Sequence, residues 1–269
     1  MSNKVSISIL SIASAIAVAG CGNDGGETSA MADGTTVVIA DAAAPQGLAE
    51  ALAGGSRSDA DKARDAGRNP AAVITFLGIE PGMIVMDVMA ASGWYTEVLA
   101  TAVGRNGRVV AQNPGFILRF RDGANDKALN ERLADNRLPN VSRLDREFAD
   151  MTPTDVVFDA ALSALNLHDV FNNDGEEAAV DLMRRVYSML KPGGVFGVID
   201  HQGVEGQDNA AVHRMLKADA IRVAEAAGFG VEGESDILQV ADDDHTQRVF
   251  AEGRRGNTDR FLLKLRRPQ

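Results

Sequence analysis

The sequence contains a single cysteine and few basic residues, and both shortages limit what the protein can be. Cys21 is the only cysteine in 269 residues, so no intramolecular disulfide is possible. Lysine and arginine total 27 against 38 acidic residues, which gives a formal net charge of −11. Proteins that bind nucleic acids present a basic face to the phosphates. This composition therefore argues against a nucleic-acid partner.

Long apolar runs are also scarce, and the first one falls short of a membrane span. Val5–Gly20 is largely apolar but is interrupted by serines, whereas a spanning helix needs about 20 apolar residues. The run ends in Val18-Ala19-Gly20-Cys21, which resembles the lipobox at which bacterial lipoproteins are cleaved and lipidated. A lipoprotein signal peptide over residues 1–20 is therefore favoured over a short transmembrane helix.

Lipidation of Cys21 would place the protein in the cell envelope. The next residue is Gly22 rather than aspartate. Resemblance to enterobacterial lipoproteins then implies the periplasmic face of the outer membrane, with the lipid anchor as the one membrane contact. Residues 21–60 are rich in small and polar residues, which predicts a flexible tether because little apolar surface offsets the ordering entropy. Residues 61–269 suit one domain.

Apolar runs alternate with helical stretches from residue 70 onward. Strands are predicted over 83–88, 107–112, 141–144, 156–162 and 195–200. Helices are predicted over 93–103, 126–138, 176–190 and 210–227. Strands that are apolar on both faces imply a parallel sheet covered on both sides. Two final strands, 231–238 and 260–265, have no long helix between them. The pattern therefore predicts a doubly wound, Rossmann-like α/β fold, mostly parallel with an antiparallel terminal strand.

The order of segments over about residues 65–267 resembles the class I S-adenosylmethionine-dependent methyltransferases. The most specific element is Leu190-Lys191-Pro192-Gly193-Gly194, which is similar to the "LKPGG" turn of that family before the fifth strand. The run Arg260–Leu265 is similar to the final strand of the family. The resemblance implies S-adenosylmethionine as cofactor and a small molecule as methyl acceptor.

The segment after the first strand lies where that family carries its glycine-rich cofactor loop. The family pattern is an acidic residue followed by three glycines at alternate positions. Here Asp87 and Gly93 remain, whereas Met89 and Ala91 replace the other two glycines. The resemblance implies cofactor contacts for Asp87 and Gly93. A side chain at position 89 is expected to narrow the approach of the cofactor to the backbone.

Three further pairs of residues complete the implied cofactor site. The loop continues into Trp94-Tyr95, as in an uncharacterised and often exported methyltransferase-like subfamily, and Tyr95 is expected either to line the pocket or to pack at the helix start. Gln112-Asn113 lies where the family holds an acidic residue on the cofactor ribose, although an amide lacks the charge of a carboxylate. Glu147-Phe148 lies where the family contacts adenine, with core packing as the alternative for Phe148.

Histidines and acids follow the fourth and fifth predicted strands. His168-Asp169 comes after the fourth strand and Asp200-His201 ends the fifth. Carboxyl ends of neighbouring parallel strands share one crevice. His168 and His201, with Asp169, are therefore candidate catalytic residues, either as a general base or as metal ligands oriented by Asp169 or Asp200. The alternative is that they are hydrogen-bonded loop residues. The sequence has no motif with metal-ligand spacing, and His213 is a weaker candidate at the start of the next helix.

Two functions fit these observations. The first is a methyltransferase that moves a methyl group from S-adenosylmethionine to an unidentified small-molecule acceptor. The alternative is a cell-envelope lipoprotein that binds another ligand or a metal on the same fold, since fold does not determine function. The proposed location favours the alternative because the cofactor is made in the cytosol. The order of the cofactor-facing elements favours the methyltransferase, which is the function predicted here.

Overall fold

A seven-stranded sheet forms the centre of the protein in this computed structural model, which describes residues 47–55, 57–152 and 157–269. The strands are β1 (Ile84–Val88), β2 (Arg108–Asn113), β3 (Val141–Asp145), β4 (Phe158–Ala164), β5 (Leu190–His201), β6 (Gly230–Ser235) and β7 (Arg260–Arg266). Their order across the sheet is β3-β2-β1-β4-β5-β7-β6. Strands β1 to β5 pair in parallel, whereas β7 is antiparallel to both of its neighbours. The predicted fold class is confirmed.

Helices pack on both faces of this sheet. They are α1 (Leu48–Ala53), α2 (Asp59–Lys62), α3 (Asp65–Arg68), α4 (Pro70–Leu77), α5 (Trp94–Val103), α6 (Gly115–Leu133), α7 (Leu167–Asp174), α8 (Glu176–Met189) and α9 (Lys217–Ala226). Local sequence explains both ends of α4. Pro70 begins α4 at the first helical position, and Gly78 ends it with φ 71°. No helix in the described part of the chain is both long and apolar enough to cross a membrane.

The apolar residues form two clusters, one on each face of the sheet. Met86 and Val88 of β1 belong to the first core cluster, which contains the apolar faces of α8 and α9. Val85 belongs to the second core cluster, together with residues of α4 and α5. Successive residues of a strand point to opposite faces, so β1 contributes to both clusters. Its residues from Val85 to Val88 are buried on both faces, as a central parallel strand requires.

The chain changes direction across the sheet between β1 and β4. From β1 it proceeds outward through β2 to β3, and then returns to the other side of β1 as β4. Ligands of open α/β sheets bind at such a switch point, outside the carboxyl ends of the strands. The segments after β1, β2, β4 and β5 therefore meet at one edge of the sheet.

Three predicted elements differ from the structure. The helix predicted over 126–138 is α6, which begins at Gly115, has non-helical backbone over 120–123 and ends at Leu133. The helix predicted over 210–227 begins only at Lys217. The turn predicted over 190–194 is an irregular part of β5. The pairing register with β4 shifts in this stretch, and Gly193 has φ 76°.

The folded body also begins earlier than predicted. The tether predicted over 21–60 lies mostly outside the described residues, as do the signal peptide and Cys21. Within the described part, Leu48–Ala53 is helical, and Leu48 and Leu52 are buried in the second core cluster. Arg57 donates two hydrogen bonds to the carboxylate of Asp65, at 2.7 and 2.8 Å. α1 therefore packs on the domain ahead of the predicted boundary at residue 61, which stays a prediction.

Candidate functional site

The loop after β1 has the backbone conformation of a glycine-rich loop although two of its three key residues carry side chains. Met89, Ala91 and Gly93 have φ angles of 52°, 50° and 80°. These are the three alternate positions after Asp87 at which the methyltransferase pattern has glycine. The left-handed conformation costs a residue with a Cβ roughly 1–2 kcal/mol. The tertiary structure therefore holds Met89 and Ala91 in a conformation that they do not prefer.

The amides at the end of β2 hold this loop. Oε1 of Gln112 accepts the backbone N–H of Met89 at 3.1 Å, while Nε2 donates to the carbonyl of Arg146 at 2.9 Å. Oδ1 of Asn113 accepts the backbone N–H of Ala91 at 2.8 Å. Both Gln112 and Asn113 are completely buried. The residues predicted to contact the ribose are thus engaged with the loop itself.

The side chain of Met89 belongs to the protein core. The residue is 2% exposed and lies in the first core cluster. Burial of a methionine side chain contributes about 1.5–3 kcal/mol, which offsets the strain of its backbone. Ala91 is partly exposed and has no comparable burial. The buried side chain of Met89 therefore argues against the expectation that it narrows the approach of the cofactor to the backbone.

Asp87 lies on the face of the sheet covered by α5. Oγ1 of Thr96 donates to its carboxylate at 2.6 Å, and the residue is 2% exposed. Burial raises the pKa of Asp87 to about 7, against the opposing effects of Thr96 and Arg68. Asp87 therefore anchors the start of α5 beneath the loop.

Gly93 is enclosed by α6. A Cβ atom added to Gly93 would lie 2.7 Å from Cδ1 of Leu129 and 3.1 Å from Cδ of Arg132. A side chain at this position would collide with the helix that covers the loop. Close packing and the positive φ angle thus explain the glycine.

The aromatic pair Trp94-Tyr95 packs against the N-terminal helices. The two residues are 3% and 5% exposed, and their rings meet edge to face with 4.7 Å between centroids. Nε1 of Trp94 donates to the carbonyl of Asp61 at 3.1 Å. The guanidinium of Arg68 lies 4.7 Å from the centroid of Trp94 and 5.6 Å from that of Tyr95. These contacts favour the packing interpretation of Tyr95 over a pocket role.

Glu147 and Phe148 follow β3 and lie beside the start of α6. A carboxylate oxygen of Glu147 accepts the backbone N–H of Gly115 at 2.9 Å. The ring of Phe148 lies edge-on to Phe116 with 6.4 Å between centroids and packs against the first core cluster. The structure thus brings both residues to the same edge of the sheet as the loop after β1, with Phe148 partly in the core.

His168 lies in the first turn of α7 and is tied to the end of β5. Its Nδ1 atom lies 2.7 Å from Oδ1 of Asp200, and the residue is 2% exposed. The same carboxylate accepts the backbone N–H groups of His168 and His201, at 2.9 and 2.7 Å. Asp200 is completely buried. The strand ends therefore meet as predicted, and Asp200 fixes the orientation of the His168 ring.

His168 and His201 lie together but hold protons differently. Their ring centroids are 5.6 Å apart. Burial lowers the pKa of His168, but the carboxylates of Asp200 and Asp169 outweigh it and raise the pKa to about 10. Burial lowers the pKa of His201 to about 3, against the attraction of Asp200. A general base works best with a pKa near the operating pH, so these values do not favour either ring as a base at neutral pH.

Asp169 joins His168 to a third histidine. Its Oδ1 atom lies 3.3 Å from Nε2 of His168 and 3.3 Å from Nδ1 of His213. His213 lies in the loop between β5 and α9, with φ 57°, and not at a helix start as predicted. The next residue, Arg214, is completely buried and donates two hydrogen bonds to Asp243, at 2.9 and 3.0 Å. This buried ion pair holds the loop on the domain.

Two residues that sequence reasoning missed complete the site. Nδ2 of Asn166 donates to the carbonyl of Met89 at 3.2 Å, which connects the histidine cluster to the loop after β1. Oγ1 of Thr258 lies 2.8 Å from Nδ1 of His201. Thr258 precedes β7, and β7 pairs with β5 so that His201 faces Arg260. The final strand was predicted from the sequence, so the position of Thr258 just before it is the signal that could have identified this residue.

Comparison with known proteins places this architecture among the methyltransferases. No family model matches the chain. It is 27% identical to the ubiquinone/menaquinone biosynthesis C-methyltransferase UbiE of Hydrogenovibrio crunogenus over 193 residues, which are 71% of this chain and 66% of that protein. It is similar to a SAM-dependent methyltransferase from Aquifex aeolicus, with 18% identity, 80% of this chain and 100% of that chain covered, and a TM-score of 0.56. The [4+2]-cyclase SpnF is similar at 17% identity, with 82% and 91% of the two chains covered and a TM-score of 0.56. The protein therefore has the class I methyltransferase fold.

Proposed function

We propose that this protein is an S-adenosylmethionine-dependent methyltransferase that acts on a small-molecule acceptor. The observation that carries the proposal is the left-handed backbone at Met89, Ala91 and Gly93 in the loop after β1. That loop lies at the switch point of the sheet, where α/β proteins bind ligands. The C-methyltransferase relative supports the reaction class. The acceptor of that relative is not proposed for this protein, because the two sequences are 27% identical and the match spans 66% of the relative.

The residues of this edge fit the cofactor in part. The loop retains the conformation that lets a ligand approach the backbone. Glu147 and Phe148 lie at the same edge and are proposed to contact the adenine. Gln112 and Asn113 are proposed to act through the loop that they hold rather than through free amides. When bound, S-adenosylmethionine would supply an electrophilic methyl group on its sulfonium, which the nucleophile of the acceptor attacks while S-adenosylhomocysteine leaves.

His168, Asp169 and His201 are proposed to face the acceptor. Asn166 connects this cluster to the loop after β1, so the two parts of the site adjoin. Methyl transfer depends mainly on alignment of the reacting atoms, and a base is needed only for a protonated acceptor. With the proton on His168 and a weakly basic His201, the cluster suits orientation of the acceptor through hydrogen bonds more than removal of a proton.

Calorimetric titration of the full-length chain, purified in detergent, with S-adenosylmethionine tests the proposal. We expect saturable binding at one site and competition by S-adenosylhomocysteine. Glu147→Ala should weaken binding about 10- to 150-fold if the carboxylate contacts the cofactor, since such a charge-assisted hydrogen bond contributes about 1.5–3 kcal/mol. Asp150→Ala is the matched control because Asp150 is exposed three residues later. A folded protein that binds neither compound would favour the alternative, an envelope protein that binds another ligand.

We also propose that the protein is anchored in the cell envelope by a lipid on Cys21, on the periplasmic face of the outer membrane. The support is the sequence Val18-Ala19-Gly20-Cys21. Cys21→Ser should abolish labelling by a radioactive fatty acid and leave the leader attached. A variant that is still labelled and cleaved would contradict lipidation, and fractionation of the unmodified protein away from membranes would contradict the location.

A further inference from the structure

We propose that His168, Asp169 and His213 form a binding site for one divalent first-row transition metal ion, with Zn²⁺ as the prototype. The three donor atoms are Nε2 of His168, Oδ1 of Asp169 and Nδ1 of His213, and all lie within 4.8 Å of one another. Both nitrogens are 3.3 Å from the carboxylate oxygen. Ligands at about 2.0–2.1 Å from a tetrahedral zinc ion are roughly 3.3–3.4 Å apart. Two of the three separations therefore already match such a site.

An unpartnered polar atom points into this group of ligands. Nε2 of His168 is buried and has no hydrogen-bond partner among the described residues. Its distance to Asp169 is short, but the contact does not have the geometry of a hydrogen bond. A buried polar atom left unpaired costs free energy, and native structures rarely contain one without a reason. A metal ion between the three donors would displace the proton from Nε2 of His168 and bind its lone pair.

The other ring nitrogen of His168 is held as in known metal sites. Histidines that bind metals usually donate their second ring N–H to a carboxylate, which fixes the ring and strengthens the ligand. Nδ1 of His168 has this partner in Asp200, at 2.7 Å. Asp200 is itself fixed by two backbone N–H groups. The negative charge of Asp200 and Asp169 favours a bound cation here.

His213 is positioned for this role by the loop around it. The buried pair of Arg214 and Asp243 fixes the neighbouring backbone. One adjustment is required, because Nη2 of Arg248 lies 3.0 Å from Nε2 of His213. When Nδ1 of His213 binds a metal, Nε2 carries the proton and cannot accept from an arginine. Arg248 is exposed and free to turn into solvent. It is therefore expected to compete with the metal.

The donor set indicates which ion and what kind of site. Two imidazoles and one carboxylate favour zinc or a similar transition metal over Mg²⁺ or Ca²⁺, which prefer oxygen ligands. Three protein ligands leave a coordination position open, as in catalytic rather than structural zinc sites. The side chain of His213 is 30% exposed, so the site opens to solvent on that side. A water molecule or an oxygen or nitrogen of a substrate would take the open position.

Metal binding is tested on the full-length chain after chelator treatment. Bound Zn²⁺ is counted by elemental analysis, and Co²⁺ is followed by its visible absorption. We expect one ion per chain. Asp169→Ala and His213→Ala should each weaken binding at least tenfold and change the Co²⁺ spectrum. Both side chains are partly exposed, so the fold should persist. Arg248→Ala should strengthen binding severalfold, because it removes a competing hydrogen bond and a positive charge.

His245→Ala is the matched control. His245 also pairs with a carboxylate, with Nε2 2.8 Å from Oδ2 of Asp259, but it is not part of the three-donor group. The His245→Ala variant should bind metal as tightly as the unmodified chain does. The proposal is overturned if the unmodified chain binds no ion at micromolar Zn²⁺, if Asp169→Ala and His213→Ala bind normally, or if His245→Ala loses as much. All measurements are made without S-adenosylmethionine, so their outcome is independent of the proposed methyltransferase function.

Discussion

The side-chain oxygen of Gln112 accepts the backbone N–H of Met89 at 3.1 Å. This hydrogen bond connects two departures from the methyltransferase pattern, an amide in place of an acid at the end of β2 and a methionine in place of a glycine after β1. The amide also donates to the carbonyl of Arg146. A carboxylate could accept the first bond but could not donate the second. Gln112 therefore suits a loop that must be held in a strained conformation.

Replacement of Gln112 by alanine should destabilise the protein. Gln112→Ala leaves the N–H of Met89 and the carbonyl of Arg146 without their partners, at a cost of about 2–4 kcal/mol. Denaturant unfolding followed by circular dichroism measures the change. Gln239→Ala removes an exposed amide that bonds Asp236 and should change the free energy of unfolding by less than about 0.5 kcal/mol. Equal effects of the two substitutions would show that Gln112 does not hold the loop.

Ala91→Gly should stabilise the protein. Glycine adopts the left-handed backbone of position 91 at no steric cost, so relief of strain should raise the free energy of unfolding by up to about 1 kcal/mol. Thermal unfolding is the measurement. The neighbouring Ala90 is also partly exposed but is not among the residues with positive φ. Ala90→Gly should therefore destabilise by about 0.4–1 kcal/mol, because glycine increases the conformational entropy of the unfolded chain. Opposite signs at adjacent alanines are the expected result, and destabilisation by both would contradict it.

Gly93→Val should impair folding itself rather than only ligand binding. The added side chain meets Leu129 and Arg132, and valine disfavours the φ angle of 80°. We expect a loss of about 3 kcal/mol or more. Gly230→Val, in the edge strand β6 with open space around its Cβ position, should change stability by less than about 1 kcal/mol. A soluble Gly93→Val protein with unchanged melting temperature would show that α6 does not enclose the loop.

The stability contributed by Asp87 should depend on pH. Its pKa is raised by burial from 3.8 to about 7 in the folded state, so the folded protein binds more protons than the unfolded chain between these values. The contribution of Asp87 to stability therefore decreases as pH rises from about 4 to 7. Asp87→Asn removes this dependence while its amide oxygen can still accept from Thr96.

The free energy of unfolding of Asp87→Asn, relative to that of the unmodified protein, should accordingly be higher at pH 8 than at pH 5. One pKa unit corresponds to about 1.4 kcal/mol, so the difference should reach a few kcal/mol at most. Unfolding at both pH values measures it. Asp150→Asn, at an exposed position, should change stability by less than about 0.5 kcal/mol at either pH. A difference that shrinks with rising pH would show that Asp87 is charged in the folded state.

The sequence by itself determined that the sheet is mostly parallel and that the carboxyl ends of its strands lie at one edge. Runs such as 83–88 and 195–200 are apolar on both faces, and only a central parallel strand covered on both sides accommodates that pattern. Alternation with helices then predicted that the parallel strands end at one edge, which placed the ends of β4 and β5 at the same crevice. For this reason the proximity of His168 and His201 was predictable without coordinates.

Only the tertiary structure decided the remaining features of the site. His213 reaches Asp169 because Arg214 is buried against Asp243, 29 residues further along the chain, and no local pattern encodes that pairing. The residues before Lys217, Arg214 among them, are not helical, although their apolar spacing predicts a helix. Proton location between His168 and His201 depends on burial and on the position of Asp200. Sequence periodicity reports which face of an element is apolar, whereas contacts between distant loops arise only when the chain is folded.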